Sequence, residues 1–174
     1  IRELLQNSLD ALRYRRSLYS CDGIDWPDGK ISMEHFVDEN GDHILRCTDN
    51  GIGMDEEIVT QFLTKVGRSF YRSPTFEQER LKFRSHNCDF DPCSQFGIGF
   101  MSCFMLGDRI VIKTRRDYGT GNNRGKPIVL EINGLSSLLI IKEGLQEQQV
   151  GTEISIYIRE KPLFLDKHLD KIML

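Results

Sequence analysis

Two polar side chains one helical turn apart, Glu3 and Asn7, stand at the start of the chain. A spacing of four residues places both on one face of a helix, and Asp10 lies near the same stripe. An asparagine oxygen is a hard, neutral ligand suited to Mg²⁺, and a glutamate one turn earlier can hold or deprotonate a water. The alternative is a solvated polar face opposite a leucine stripe, which is the commoner origin of an isolated pair with this spacing.

A second candidate follows an apolar strand, in residues 49–54 (DNGIGM). A carboxylate at a strand end, followed by two glycines, presents an acceptor where the backbone can turn sharply and a ligand can approach closely. Because an ionised Asp49 only accepts hydrogen bonds, it selects a donor such as an exocyclic amine. Asp-Asn-Gly is also an ordinary turn sequence, and the segment by itself does not distinguish a turn from a ligand site.

Glycines also stand at the entrance of an apolar helix, in residues 94–100 (SQFGIGF). Backbone N–H groups beside Gly97 and Gly99 can face an anion, and the helix dipole adds about half a positive charge there. This predicts a phosphate site, although the segment matches neither a P-loop nor the dinucleotide fingerprint. Further on, Gly151-Thr152 opens a strand, where a Thr hydroxyl can bond a base edge or a buried water. For both segments the alternative is a sequence that serves packing alone.

Hydrophobic periodicity predicts the elements that must position these residues. Ile1 and the leucines after it recur at helical spacing as far as Leu18, and shorter helices are predicted over 55–62 and 100–106. Six strands are predicted at Ile31–Val37, His43–Thr48, Arg109–Arg115, Pro127–Ile132, Leu138–Lys142 and Thr152–Ile158. Because strands and helices do not alternate strictly, we expect an α+β fold: a two-layer sandwich in which a mixed, largely antiparallel sheet carries helices on one face.

The segment 64–94 is predicted to be a long polar loop. It is mostly aperiodic with few apolar groups to hold it down, and a loop of this length commonly has a task such as closing over a ligand. Tyr14 and Tyr19 are predicted to continue the first helix along the surface. A basic cluster that includes Arg116 flanks a glycine- and asparagine-rich turn and is predicted to be a solvated loop.

Composition excludes several classes of protein. The chain has 174 residues, 39% of them hydrophobic and 28% charged, which is typical of one globular domain and not of a disordered tail. A formal net charge of -3 argues against nucleic acid as a partner, and no apolar stretch is long enough to span a membrane. Five cysteines without a regular spacing indicate reduced thiols and a cytoplasmic location. The first helix has no cap in front of it, which predicts a piece of a longer protein.

Taken together and in this order, the four segments resemble the ATP-binding domain of the GHKL superfamily, the Bergerat-fold ATPases. Within that superfamily the motif sequences most resemble those of the N-terminal ATP-binding domain of the heat-shock protein 90 / HtpG chaperone family. The matching residues are Arg2-Glu3-Leu4, Asn7-Ser8, Asp10-Ala11, residues 49–54, residues 95–100 and Asp108-Arg109. The resemblance covers residues 1–158, and the whole chain is interpreted as one ATP-binding domain.

The resemblance implies a role for each matching position. Glu3 resembles the family's general base for the attacking water, Asn7 its Mg²⁺ ligand and Asp49 its acceptor for the adenine amine. Residues 64–94 resemble the nucleotide lid, in which Lys65 and Arg68 are the nearest basic candidates for a phosphate. The other implied nucleotide contacts are Asp10, Gly53, Met54, Gly97, Gly99, Phe100 and Thr152, with Gly97, Gly99 and Phe100 at the phosphate-facing hinge of the lid.

The function that the resemblance implies is Mg²⁺-dependent ATP hydrolysis in a heat-shock protein 90-like protein, with ATP or ADP as the bound nucleotide and lid closure as its consequence. The implied partners are ATP, a protein client and a second copy of the protein through flanking regions. One alternative is a nucleotide-gated interaction module with little turnover. Another is a different GHKL ATPase, of the DNA-repair, topoisomerase or histidine-kinase type.

Overall fold

The computed structural model describes residues 1–26, 28–63, 65, 67–88, 90–93, 99–119, 123–134, 139–159 and the backbone of 172–173. Their core is one antiparallel sheet with helices packed on one face, which confirms the predicted α+β sandwich. Every strand pair in these ranges is antiparallel, so the sheet is more uniform than the mixed sheet that was predicted.

The six predicted strands all form, each within one or two residues of its predicted bounds. Their order across the sheet is β5-β4-β3-β6-β2-β1, and a two-residue strand, β7, pairs with the outer edge of β1. The observed bounds are β1 Ile31–Val37, β2 His43–Asp49, β3 Arg109–Arg115, β4 Ile128–Asn133, β5 Leu139–Glu143, β6 Gly151–Tyr157 and β7 Ile172–Met173. This order places the end of β2 beside the start of β6, so Asp49 is paired with Thr152.

The first helix, α1 (Arg2–Cys21), packs its apolar stripe on the sheet. Leu4 and Leu12 on α1 are buried in one core with alternate residues of the strands, including Met33, Cys47 and Ile110. Burial of such side chains contributes about 1.5 to 3 kcal/mol each, so packing on the sheet fixes the orientation of the polar side of α1.

Two short helices form where they were predicted, with different geometry. α2 (Glu56–Ile58) continues into one π-helical turn, Val59–Leu63, and the Asp55 carboxylate caps it by accepting a hydrogen bond from the Ile58 N–H at 2.9 Å. The predicted helix 100–106 is a 3₁₀ helix, Gly99–Met105. Because seven residues of 3₁₀ helix align few peptide dipoles, the start of this helix attracts a phosphate less strongly than an α-helix would.

The prediction of a loop over 64–94 is wrong in its centre. A 3₁₀ turn at Phe70–Arg72 is followed by α3 (Pro74–Ser85), twelve residues long. The Ser73 hydroxyl caps α3 by accepting a hydrogen bond from the Phe76 N–H at 3.1 Å, and Pro74 stands in the first turn, where no N–H partner is needed. Residues 64, 66, 89 and 94 of this segment lie outside the described ranges.

The same segment is held by aromatic rings, which contradicts the prediction that few apolar groups hold it down. Tyr14, predicted at the surface, is only 2% exposed and lies at the centre of these rings. Its ring stacks on Phe90 at 5.7 Å and meets Phe76 and Phe83 edge-on at 5.7 and 5.4 Å. We call this group the Tyr14 cluster; its members are Tyr14, Phe70, Tyr71, Phe76, Phe83 and Phe90.

No helix within the described ranges is both long and apolar enough to cross a membrane.

Candidate functional site

A cavity of about 390 Å³ lies between α1, the sheet and the segment around Phe70. Eight of the ten residues predicted to bind or act on a nucleotide line it: Glu3, Asn7, Asp49, Gly53, Met54, Gly99, Phe100 and Thr152. They come from four separate parts of the chain, which the fold brings to one place. Of the other two, Asp10 is not among the lining residues and Gly97 lies outside the described ranges.

One end of the cavity is formed by the first two turns of α1 and the start of the 3₁₀ helix. Glu3 and Asn7 both line it, as their spacing of four predicts. The Glu3 side chain lies directly against the backbone of Gly99, and a Cβ at that position would collide with the Glu3 carboxylate. A side chain at position 99 would therefore displace the Glu3 carboxylate from its present position.

Asp49, the last residue of β2, is a buried carboxylate at the wall of the cavity. Its Oδ2 accepts a hydrogen bond from the Ser8 hydroxyl and its Oδ1 one from the Gly51 N–H, both at 2.9 Å. Burial raises the pKa of Asp49 to about 6, against the opposing effects of hydrogen bonds from Gly51, Ser8 and Thr152 and of the Arg15 charge. The carboxylate is thus ionised at neutral pH and keeps lone pairs for a donor on a ligand.

The 49–54 loop is fixed from the α1 side by two backbone contacts. The Arg15 guanidinium donates to the Asn50 carbonyl at 2.7 Å, and the Ile52 N–H donates to the Ala11 carbonyl at 3.0 Å. Arg15 is itself held by Asp117, whose carboxylate it approaches to 2.7 Å. The position of the loop is therefore tied to the helix that carries Glu3 and Asn7.

From the other side the 49–54 loop is held by the end of β3. The Met54 N–H donates to the Thr114 hydroxyl at 2.8 Å, and the Arg116 guanidinium donates to the Gly53 carbonyl at 3.1 Å. Gly53 has a φ of +67°, and a Cβ there would collide with the Arg115 carbonyl, so no other residue fits this turn. The loop is consequently a rigid wall of the cavity.

Thr152 lies at the start of β6 and lines the same wall. Its hydroxyl is 3.2 Å from the hydroxyl of Thr114, which also donates to the Gly151 carbonyl at 3.1 Å. The buried Thr114 hydroxyl therefore links the strand end at Thr152 to the loop at Met54. Thr152 is also the residue of β6 that is paired with Asp49 on β2.

Asp10 does not line the cavity itself but contacts Cys93, a lining residue in the segment that follows α3. Asp10 is fully buried, and its Oδ1 accepts a hydrogen bond from the Cys93 N–H at 3.0 Å. The Asp10 carboxylate thus connects α1 to residues 90–93. Its predicted contact with a nucleotide stays a prediction.

Several lining residues escaped the sequence interpretation. Arg116, predicted in a solvated loop, is 5% exposed and lines the cavity, as do Tyr14, Phe70 and Tyr71 of the Tyr14 cluster. Ser8 was noted only as part of a motif, although its place one residue after Asn7 on a helix face towards the sheet was a usable signal. Of the two basic candidates, Arg68 lines the cavity, whereas Lys65 donates to the Gln61 side chain at 2.7 Å.

No protein-family model matches the chain. Among curated proteins it is similar to chaperone protein HtpG of Pasteurella multocida, with 30% identity over 169 residues, 92% of this chain. It is 30% identical to HtpG of Nocardia farcinica over 97% of the chain and 26% identical to HtpG of Shewanella halifaxensis over 92%.

These matches cover almost the whole of this chain but only a domain-sized part of each relative. The chain spans about a quarter of the length of the relatives, 24% of each of the three proteins named. The similarity has the extent expected of one domain, which agrees with the motifs. The chain is therefore related to the HtpG chaperones and resembles the N-terminal domain of the heat-shock protein 90 family, as its motifs predict.

Proposed function

We propose that this domain binds ATP and ADP with Mg²⁺ and hydrolyses ATP, as the nucleotide-binding part of a heat-shock protein 90-like chaperone. The observation that carries the proposal is the 390 Å³ cavity, lined by eight residues predicted from sequence to handle a nucleotide, with the buried carboxylate of Asp49 in its wall. Similarity to proteins named HtpG chaperones supports the chaperone part of the proposal.

In this proposal Asp49 recognises the adenine base of the nucleotide. An ionised carboxylate held by Ser8 and Gly51 accepts a hydrogen bond from the exocyclic amine of adenine. Guanine presents a carbonyl oxygen at the corresponding position, which would leave two acceptors facing each other in a buried site. Such an unsatisfied contact costs about 1 to 3 kcal/mol, so adenine nucleotides are favoured.

The reaction takes place beside Glu3, where the cavity is also lined by Gly99. The Glu3 carboxylate takes a proton from a water, whose oxygen attacks the terminal phosphorus in line while the bond to the bridging oxygen breaks and ADP leaves. Asn7 fits a Mg²⁺ ion because it offers a neutral oxygen ligand in the same cavity, one helical turn from Glu3. When bound, the ion neutralises charge on the phosphate oxygens.

The segment around Phe70 acts as the lid of the site. Arg68, Ser69, Phe70 and Tyr71 line the cavity on the side that faces away from the sheet, so a bound nucleotide would contact them. Protein clients, and a second copy of the full-length protein, are the partners proposed on the similarity to the HtpG chaperones.

Calorimetric titration of the full-length protein with Mg·ADP and Mg·GDP tests the proposal. We expect ADP to bind at least about tenfold more tightly, from the penalty for two facing acceptors. Asp49→Asn should remove most of that preference, whereas Asp42→Asn, in the exposed turn between β1 and β2, should not. Equal affinity for the two nucleotides in the parent protein would refute adenine recognition by Asp49.

A further inference from the structure

Arg116 is a buried cation where three parts of the molecule meet. Its guanidinium donates to the Gly53 carbonyl and to the Tyr14 hydroxyl, both at 3.1 Å. It also lies over the rings of Tyr14 and Phe70, at 5.1 and 5.3 Å from their centres. One side chain therefore contacts the 49–54 loop, α1 and the segment before α3.

The charge of Arg116 is only partly compensated. Within the described residues its nearest carboxylate is that of Glu79 on α3, at 4.0 Å, which is the outer limit of an ion pair. Neither the Arg116 Nε nor the Glu79 Oε2 has a hydrogen-bond partner in those residues, although both atoms are buried. Burial raises the pKa of Glu79, and the Arg116 charge opposes that rise.

The Arg116–Glu79 pair is sensitive to small displacements. The Arg116 side chain is 6% exposed and that of Glu79 35%, and the Coulomb attraction between the two groups changes with the distance between them. A shift of Gly53 moves Arg116 through their hydrogen bond, and this changes the attraction for Glu79. In the proposed function, Gly53 belongs to the loop that contacts the adenine base. Glu79 belongs to the proposed lid.

We propose that Arg116 is a positioning residue that couples the 49–54 loop to α3, so that nucleotide binding at the loop is transmitted to the lid through the Gly53–Arg116–Glu79 contacts. The inference rests on the proposed function and extends it. Coupling of this kind between two sites commonly amounts to 5- to 150-fold in affinity, and it is reciprocal.

Hydrogen exchange of the full-length protein, with and without Mg·ADP, tests the coupling. In the parent protein Mg·ADP should slow exchange across residues 74–85. In Arg116→Lys, which keeps the charge and loses the fork of donors, and in Glu79→Gln, that slowing should fall by at least about fivefold at saturating Mg·ADP. The double variant should show no further loss, because both changes remove one contact.

Two matched variants separate coupling from structural damage. Glu77→Gln removes an exposed carboxylate from the same helix and should leave the slowing unchanged. Arg15→Lys weakens the other anchor of the 49–54 loop, at Asn50, and should lower the affinity for Mg·ADP while α3 still responds at saturation. If Arg116→Lys does not fold, Glu79→Gln decides the question alone.

The outcomes distinguish this inference from the function on which it rests. If the parent protein does not bind Mg·ADP, both are refuted. If the parent binds and α3 responds, but Arg116→Lys and Glu79→Gln respond equally at saturation, only the coupling through Arg116 is refuted. Additive losses in the double variant would also refute it, since they would show two independent contacts.

Discussion

The 49–54 loop and the segment that contains α3 (residues 68–88 and 90–93, here called the α3 segment) both contribute residues to the cavity lining, but they are held in place by different forces. The loop is fixed by directed hydrogen bonds of its own backbone, which accepts from Arg15 and Arg116 and donates to the Ala11 carbonyl and the Thr114 hydroxyl. The α3 segment is held chiefly by ring contacts within the Tyr14 cluster. Hydrogen bonds lose strength steeply with angle, whereas apolar contact has no preferred direction.

The hydrogen-bonded loop is the preorganised part of the site, and the α3 segment is the part that can rearrange. A loop with several directed bonds has one low-energy position, which suits recognition of a base. The rings packed against Tyr14 are held by burial of apolar surface and not by hydrogen bonds to the backbone, which suits a segment that moves as a unit. We expect perturbations of the loop end to change ligand affinity or chemistry, and perturbations of the Tyr14 cluster to change local stability.

The first prediction tests whether Glu3 is the general base for ATP hydrolysis. Glu3→Ala in the full-length protein should lower ATP turnover by about 10² to 10⁴, the usual contribution of a positioned base, and leave the affinity for nucleotide within a few-fold. Steady-state phosphate release and calorimetry measure the two quantities. Glu39→Ala, an exposed carboxylate in the β1–β2 turn, is the control. Turnover at the parental rate would make a nucleotide-gated interaction module the better interpretation.

A second prediction tests whether α3 unfolds separately from the sheet. Phe76 is fully buried and contacts four rings of the Tyr14 cluster. Phe76→Ala should lower the free energy of opening of α3 by about 3 to 5 kcal/mol, seen as faster hydrogen exchange there. Leu81→Ala, at a position 64% exposed on the same helix, should have an effect below about 0.5 kcal/mol. Equal loss of protection in β2 and β6 would contradict independent opening.

A third prediction concerns the pH dependence of base recognition. Because burial raises the pKa of Asp49 to about 6, the carboxylate that is proposed to accept from adenine is lost as the pH falls through that value. The affinity for Mg·ADP should fall by up to about tenfold for each pH unit below it. Titrations of Asp49→Asn at the same pH values account for protonation of the nucleotide phosphates. An identical pH dependence in both proteins would contradict the assignment.

The last prediction concerns the hydrogen bond between the Ser8 hydroxyl and the Asp49 carboxylate. Ser8→Ala removes the hydrogen bond to Asp49 Oδ2, which favours the ionised carboxylate. The midpoint of the pH dependence should therefore rise by about one unit, since a bond to a charged group contributes about 1.5 kcal/mol or more. Ser17→Ala, on the same helix beyond the cavity lining, should leave the midpoint in place. A midpoint that falls in Ser8→Ala would show that the hydroxyl does not stabilise the charge.

The strands were predictable because each depends on a local pattern. Residues such as Ile110, Ile112 and Thr114 alternate inward on β3, and Gly or Pro residues end most of the runs. The cavity end formed by Glu3, Asn7 and Gly99 was predictable from motifs for the same reason. Each motif is short and carries its own chemistry.

The Tyr14 cluster and the burial of Arg116 could not be predicted this way. Tyr14 and Arg116 are 102 residues apart in the sequence, and no local pattern indicates that they meet. α3 was missed because its two buried residues, Phe76 and Phe83, are two turns apart among charged neighbours. The Ser73-Pro74 pair is nevertheless a helix-start signal that the sequence does contain.

Tyr14 is carried by α1 but packs as part of the segment 70–90. It shares a helix with Glu3 and Asn7, while its ring contacts lie on Phe70, Phe76, Phe83 and Phe90. If this segment were replaced by that of a relative, the new rings would therefore lack a matching partner on α1 unless residue 14 were replaced as well. In a lineage that changes lids, position 14 should change at the same time as the rings that cover it, although the rest of α1 stays the same.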